Sequence, residues 1–180
     1  IAEATVAKFG NTNEKRWGIK NAALVSVEPG TGHILAMVGS RDYWDSKNDG
    51  NVNVAVRKRQ PGSSFKPFVY ATLFEGNWGP GSVLWDVKTK FGSAYPNNYN
   101  GQFNGPMKVR NALAYSRNIP AIKAFILAGD EDRVLDFVGR LGFGYLKEFK
   151  DNINAKREEG DKFYYGWPLA IGTGEVRPLD

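Results

Sequence analysis

Two nearly continuous apolar runs, residues 22–28 and 33–39, flank the turn Pro29-Gly30-Thr31-Gly32 and predict a β-hairpin. Their lack of alternation predicts strands covered on both faces. Ahead of them, Ile1, Val6 and Phe9 keep a loose helical spacing that fits a short helix or a frayed entry segment over residues 1–10. Residues 40–50 turn polar and acidic, with Asp42, Asp45 and Asp49, as a surface loop does. From residue 63 to about 75, Phe65, Phe68, Val69, Thr72 and Leu73 fit one helix beginning at Ser63, and Pro67 is tolerated in its first turn. Residues 77–106 are rich in Gly, Asn, Pro and aromatics and predict a long loop with little regular structure. Helices are predicted over 108–115, 119–127 and 130–141, the last capped by Asp130 or Asp132 and closed by Gly142. Residues 150–162 are charged and predicted to be exposed.

Composition narrows the class without naming it. With 180 residues, 42% hydrophobic and 24% charged, the chain is an ordinary globular sequence, not a disordered, collagen-like or coiled-coil one. It has no cysteine and one histidine, His33, which excludes thiolate nucleophiles, disulfides and most zinc chemistry. No stretch approaches the ~20 apolar residues of a membrane span. The start at Ile1 and the run Glu175-Val-Arg-Pro-Leu-Asp180 read as a segment excised from a longer protein. The +5 charge, 24 aromatic residues and Arg57-Lys58-Arg59 lack any accompanying nucleic-acid signature, so no nucleic-acid partner is expected. The basic cluster reads as a solvated patch whose field would favour a carboxylate-bearing ligand. His33 reads as structural, as does Glu175.

The candidate chemistry lies in Arg59-Gln-Pro-Gly-Ser63-Ser-Phe-Lys66-Pro67. Residues three apart on a helix share a face, so Ser63, rather than Ser64, can meet Lys66. A serine becomes a nucleophile when a base lies within reach, and a lysine of lowered pKa can be that base. A helix start adds free N–H groups where an oxyanion would form. A second element, Tyr115-Ser116-Arg117-Asn118-Ile119-Pro120, places a hydroxyl and a carboxamide side by side between two helices. Each alone also fits a capping serine in a turn, but the two together are a known catalytic pairing.

With these motifs the sequence resembles a family over about residues 22–180. It looks like the front part of the transpeptidase domain of class A penicillin-binding proteins, which polymerise and cross-link peptidoglycan. The resemblance is carried by residues 23–39, 53–55, 59–68, Tyr95-Pro-Asn-Asn-Tyr-Asn-Gly101, 110–121 and 172–179. It implies a mixed α/β (α+β) fold, an antiparallel sheet flanked by helices as in penicillin-binding transpeptidases and serine β-lactamases, incomplete at its C-terminus, with residues 1–21 as a lead-in. It also implies Ser63 as the acylated nucleophile on a D-Ala-D-Ala stem peptide, Lys66 as the base, Ser116 as proton relay and Asn118 as the residue that orients the peptide or a β-lactam. No cofactor or metal is implied. A glycosyltransferase domain, a membrane anchor and a place on the outer face of the bacterial cytoplasmic membrane are implied for the parent protein.

One departure matters. The family's third motif, Lys-Thr/Ser-Gly, has no counterpart, since Gly172-Thr173-Gly174 has no lysine and belongs to another block. The site is therefore expected to be incomplete, and loss of one oxyanion donor alone would slow turnover by about 100-fold. A D,D-carboxypeptidase, a β-lactamase and a non-catalytic peptidoglycan-binding fragment stay open as alternatives.

Overall fold

The computed structural model describes all 180 residues, which form two units: residues 1–59 with 176–180, and residues 60–175.

In the first unit, helix α1 (Ala2–Trp17) is longer than the apolar spacing predicts. Its outer turns are polar, with Glu3 at the start and Lys15 and Arg16 at the end, where each charge opposes the helix dipole. Gly18, at φ 68°, stops it by donating to the Glu14 carbonyl. Arg41 ties the following chain to α1 through Glu14 at 2.5 Å. The predicted hairpin is present as β1 (Leu24–Val27) and β2 (Ile34–Val38), antiparallel, with an irregularity at Ser26/Val27. Its faces are not both covered, however: Val27, Ile34 and Leu35 are exposed, because only α1 packs on β2 within this unit. His33 is exposed, and its carbonyl closes the turn onto the Glu28 N–H. Arg59 and Val176 exchange two backbone hydrogen bonds, and Leu179 N–H donates to Ala55.

The second unit is mostly helical. A 3-10 turn, Gly62–Phe65, leads into α2 (Lys66–Phe74), so Ser63 stands one turn ahead of the α-helix instead of starting it. Pro67 falls in the first turn of α2, where its missing N–H has no partner to lose. The predicted long loop contains an antiparallel pair, β3 (Val83–Asp86) and β4 (Gly105–Lys108). The chain thus carries two separate two-stranded sheets among its helices, not one sheet. Then come α3 (Val109–Ala114), α4 (Asn118–Leu127) and α5 (Asp130–Val138).

Helix α5 runs into a widened turn, Gly139–Phe143, where Gly142 takes φ 103° and ends it as predicted. Neither Asp130 nor Asp132 caps α5; Asp132 instead accepts from Lys150. A further helix, α6 (Tyr145–Asn154), is not among the predicted elements, and its last turn runs into residues 150–162, read as charged surface. Lys150 is buried there because Glu131 and Asp132 hold its ammonium at 2.8 and 2.6 Å. The core is made by Phe65, Val69 and Leu73 of the first two elements, Ile119, Ile122 and Phe125 of α4, Val134 and Leu135 of α5, and Leu169. No helix of the protein is long and apolar enough to cross a membrane.

Candidate active site

Lys66 opens α2 on its buried side and is 0% exposed. Its amine contacts three oxygens: the Ser116 carbonyl at 2.7 Å, Asn118 Oδ1 at 2.7 Å and Ser116 Oγ at 3.1 Å. The first two only accept, so they commit two of the amine's N–H groups. The orientation of the Asn118 carboxamide is fixed, because its Nδ2 donates to the Asn97 carbonyl at 2.8 Å. The third contact runs either way: an ammonium donates to Ser116 Oγ, and a neutral amine accepts the Ser116 proton on its lone pair. The same three contacts therefore fit both protonation states. Desolvation, helped by the Arg117 charge, lowers the Lys66 pKa to about 8.

Ser116 owes its position to the end of α3. Its N–H donates to Leu113 O and the Arg117 N–H to Ala112 O, both at 2.9 Å, the two bonds of a Schellman cap. The left-handed residue of such a cap is usually glycine; here it is Ser116, at φ 51°. A serine held there is strained by about 1 kcal/mol or more, a cost tolerated where the side chain has a task.

Arg117 points the other way, into the protein. Its Nε pairs with Asp86 Oδ2 at 2.8 Å, Nη1 donates to Asn100 Oδ1 at 3.2 Å, and Nη2 donates to the Gln102 carbonyl. Asp86 is 0% exposed; its other oxygen accepts from Asn98 Nδ2 at 2.7 Å, and Asn104 N–H donates to Oδ2 at 3.1 Å. Asn98 Oδ1 in turn accepts the Asn118 N–H at 2.7 Å, the first orphan donor of α4. Removing one member of a buried ion pair of this kind costs about 3–5 kcal/mol.

Ser63 is exposed and its hydroxyl makes no hydrogen bond, whereas Ser64 Oγ is occupied with the Pro61 carbonyl at 2.7 Å. The structure thus brings Lys66, Ser116 and Asn118 together and leaves Ser63 free, without a hydrogen bond to Lys66. Gly62, at φ 57°, precedes Ser63 and donates its N–H to Gly172 O at 3.2 Å. Gly172 itself sits at φ 84°, where a Cβ would strike the Gly62 backbone. That close approach gives Gly172 a task at the Ser63 turn which the sequence does not show. Glu175 is exposed and takes no part in these bonds. No group of three or more His, Cys, Asp or Glu side chains is placed to hold a metal.

A buried lysine facing a Ser-x-Asn turn, one turn beyond a free serine, brings together the residue types that serine acyl transfer requires. Residues 22–173 match the penicillin-binding protein transpeptidase domain, and the chain belongs to that family. Penicillin-binding protein 1A of Pseudomonas aeruginosa is 31% identical over 166 residues, which are 88% of this chain and 18% of that protein. The chain therefore spans about a fifth of the length of such relatives. The crystal structure of penicillin-binding protein 1A from Haemophilus influenzae superposes with a TM-score of 0.67 at 33% identity, covering 88% of this chain and 22% of that one. Penicillin-binding protein A of Mycobacterium tuberculosis, solved as a ceftriaxone acyl-enzyme complex, gives a TM-score of 0.58 at 25% identity over 63% of this chain and 32% of that one.

Proposed function

We propose that this chain carries the nucleophile half of a peptidoglycan D,D-transpeptidase site. The Ser63 hydroxyl attacks the carbonyl carbon between the two terminal D-alanines of a stem peptide, and its proton passes to the neutral Lys66 amine. The C–N bond then breaks, and the proton returns through Ser116 Oγ to the departing D-alanine amine. Asn118 offers the substrate the open flank of its carboxamide. A second stem peptide's amine then attacks the acyl-serine, forming the cross-link and freeing the Ser63 hydroxyl. With a β-lactam the first step opens the ring amide, and the acyl-enzyme persists.

The observation that carries the reading is the fully buried Lys66 amine, bonded to both Ser116 and Asn118 and held near pKa 8. Family membership and the acyl-enzyme known for a relative support it. The reaction places the site outside the cytoplasmic membrane of a bacterium, and the wider polypeptide would supply the remaining strand of the site, a glycosyltransferase domain and the membrane anchor.

Intact mass after hours of incubation with benzylpenicillin tests the proposal. A mass gain on the Ser63 peptide, absent from Ser63→Ala, is expected. A folded chain that gains no mass at Ser63 refutes it. Persistence of the adduct distinguishes a transpeptidase from a β-lactamase, which clears it rapidly.

A further inference from the structure

Asp86 is completely buried, pairs with Arg117, and makes no hydrogen bond to any of the four residues to which chemistry is assigned. It lies at the end of β3, whose alternation puts Leu84 and Asp86 inward and Val83 and Trp85 outward. Around its carboxylate converge the Arg117 guanidinium, the Asn98 carboxamide and the Asn104 N–H. Each of the first two leads to the site by one further bond. Arg117 is the residue between Ser116 and Asn118, and Asn98 Oδ1 holds the Asn118 N–H at 2.7 Å. Asn97, next to Asn98, holds the Asn118 side chain. The backbone that presents the three oxygens to Lys66 is thus fastened from beneath at two points, and both fastenings end on one carboxylate.

We propose, on the basis of the transpeptidase reading above, that Asp86 is a positioning residue for the reaction at Ser63, fixing through Arg117 and Asn98 the oxygens that surround the Lys66 amine. Asp86 also balances the Arg117 charge, whose field reaches Lys66. The other ionisable groups in its field are Tyr70, one turn beyond Lys66 on α2 and fully buried without a hydrogen-bond partner, and Lys123 of α4, whose amine donates to Trp85 O at 2.8 Å. An uncharged residue 86 leaves the Arg117 charge unbalanced and loosens the acceptors of the Lys66 ammonium. Both changes disfavour the protonated amine.

The test compares wild type with Asp86→Asn and, separately, Asn98→Ala, which keeps the Asp86–Arg117 pair. Two quantities are read in each folded chain: the Lys66 titration midpoint, by NMR of 15Nζ-labelled lysine, and the rate of Ser63 acylation by a fluorescent penicillin between pH 6 and 10. Asp86→Asn is expected to move the midpoint below its wild-type value of about 8 and to slow the plateau acylation rate by about 10- to 100-fold, as a misplaced catalytic group does. Asn98→Ala is expected to slow the plateau rate likewise. If Asp86→Asn does not fold, the Asn98→Ala rate decides the question. A purely structural role lowers the melting temperature and leaves midpoint and rate per folded molecule unchanged, and that result overturns the proposal. A wild-type chain that takes no penicillin overturns the transpeptidase reading itself. Wild-type labelling matched by equally fast labelling of the variants overturns this inference alone.

Discussion

The protonation of Lys66 makes a quantitative demand on the acylation rate. An ordinary lysine, titrating at 10.5, would be a free amine at pH 7 in roughly one molecule in three thousand. With the pKa at about 8, the free amine is present in roughly one molecule in ten at pH 7 and nine in ten at pH 9. Burial therefore raises the population of the competent base by about 300-fold at neutral pH, a gain of about 3 kcal/mol in readiness of the kind general-base catalysis requires. The second-order rate of Ser63 acylation by a chromogenic cephalosporin should rise about tenfold from pH 7 to pH 9, with its half-maximum near pH 8. Stopped-flow absorbance in a constant-ionic-strength buffer series measures it, and Lys66→Ala supplies the background. A flat profile between pH 7 and 9 would refute the argument, as would a climb that continues unabated to 10.5.

Two further outcomes follow from the same geometry. Gly172→Ala puts a Cβ 2.6 Å from the Gly62 nitrogen and carbonyl carbon at a backbone φ of 84°, so urea melts should show a loss of more than about 2 kcal/mol, with slower acylation in the folded fraction. Equal stability would mean that the Ser63 turn does not rest on Gly172. Between about pH 8 and 10.5 the unfolded chain binds a proton that folded Lys66 does not, so this residue raises stability with increasing pH by about 3 kcal/mol in total and contributes no slope below that window. Lys66→Met should abolish this rise, and parallel stability curves for the two proteins in urea at pH 7, 9 and 10.5 would contradict it.

The hairpin is legible because two apolar runs flank a Pro/Gly turn, and α2, α3, α4 and α5 because their apolar residues recur with a helical spacing. The pair β3 and β4 escapes because each strand has four residues and Pro106 lies within the second, where proline argues against a strand. Helix α6 escapes because a pattern read for charge takes Lys150 for a surface residue, whereas Glu131 and Asp132 make its burial possible. Of the proposed site, Ser63, Lys66, Ser116 and Asn118 can be picked out because lysine-assisted serine acyl transfer requires those residue types at those spacings. Asp86, Asn98 and Gly172 cannot be found by that route, since their roles depend on contacts far away in sequence: Asp86 meets Arg117 31 residues on. The alternation of Leu84 and Asp86 with Val83 and Trp85 was the available signal, four residues long and set in a loop-like composition.

The two motif spacings have different physical origins, and the difference assigns the residues between them. Ser63 and Lys66 are three apart across a 3-10 turn, whose three-residue period eclipses i and i+3 and sets the serine directly ahead of the amine. Ser116 and Asn118 are two apart across Arg117, which is extended at φ −70° and ψ 132°. An extended residue sends its neighbours' side chains to one side and its own to the other. With Ser116 and Asn118 turned toward Lys66, residue 117 must point into the protein. A side chain there has to be buried, and an arginine can be buried only with its charge answered, which Asp86 does at 2.8 Å. The spacing of two thus supplies a pair of polar groups to the Lys66 amine and, by the same backbone geometry, one anchor to the fold. Arg117→Met would keep the bulk and lose the anchor, leaving Asp86 as the uncompensated charge, which is why the arginine and the aspartate have to be understood as one unit with the motif they support.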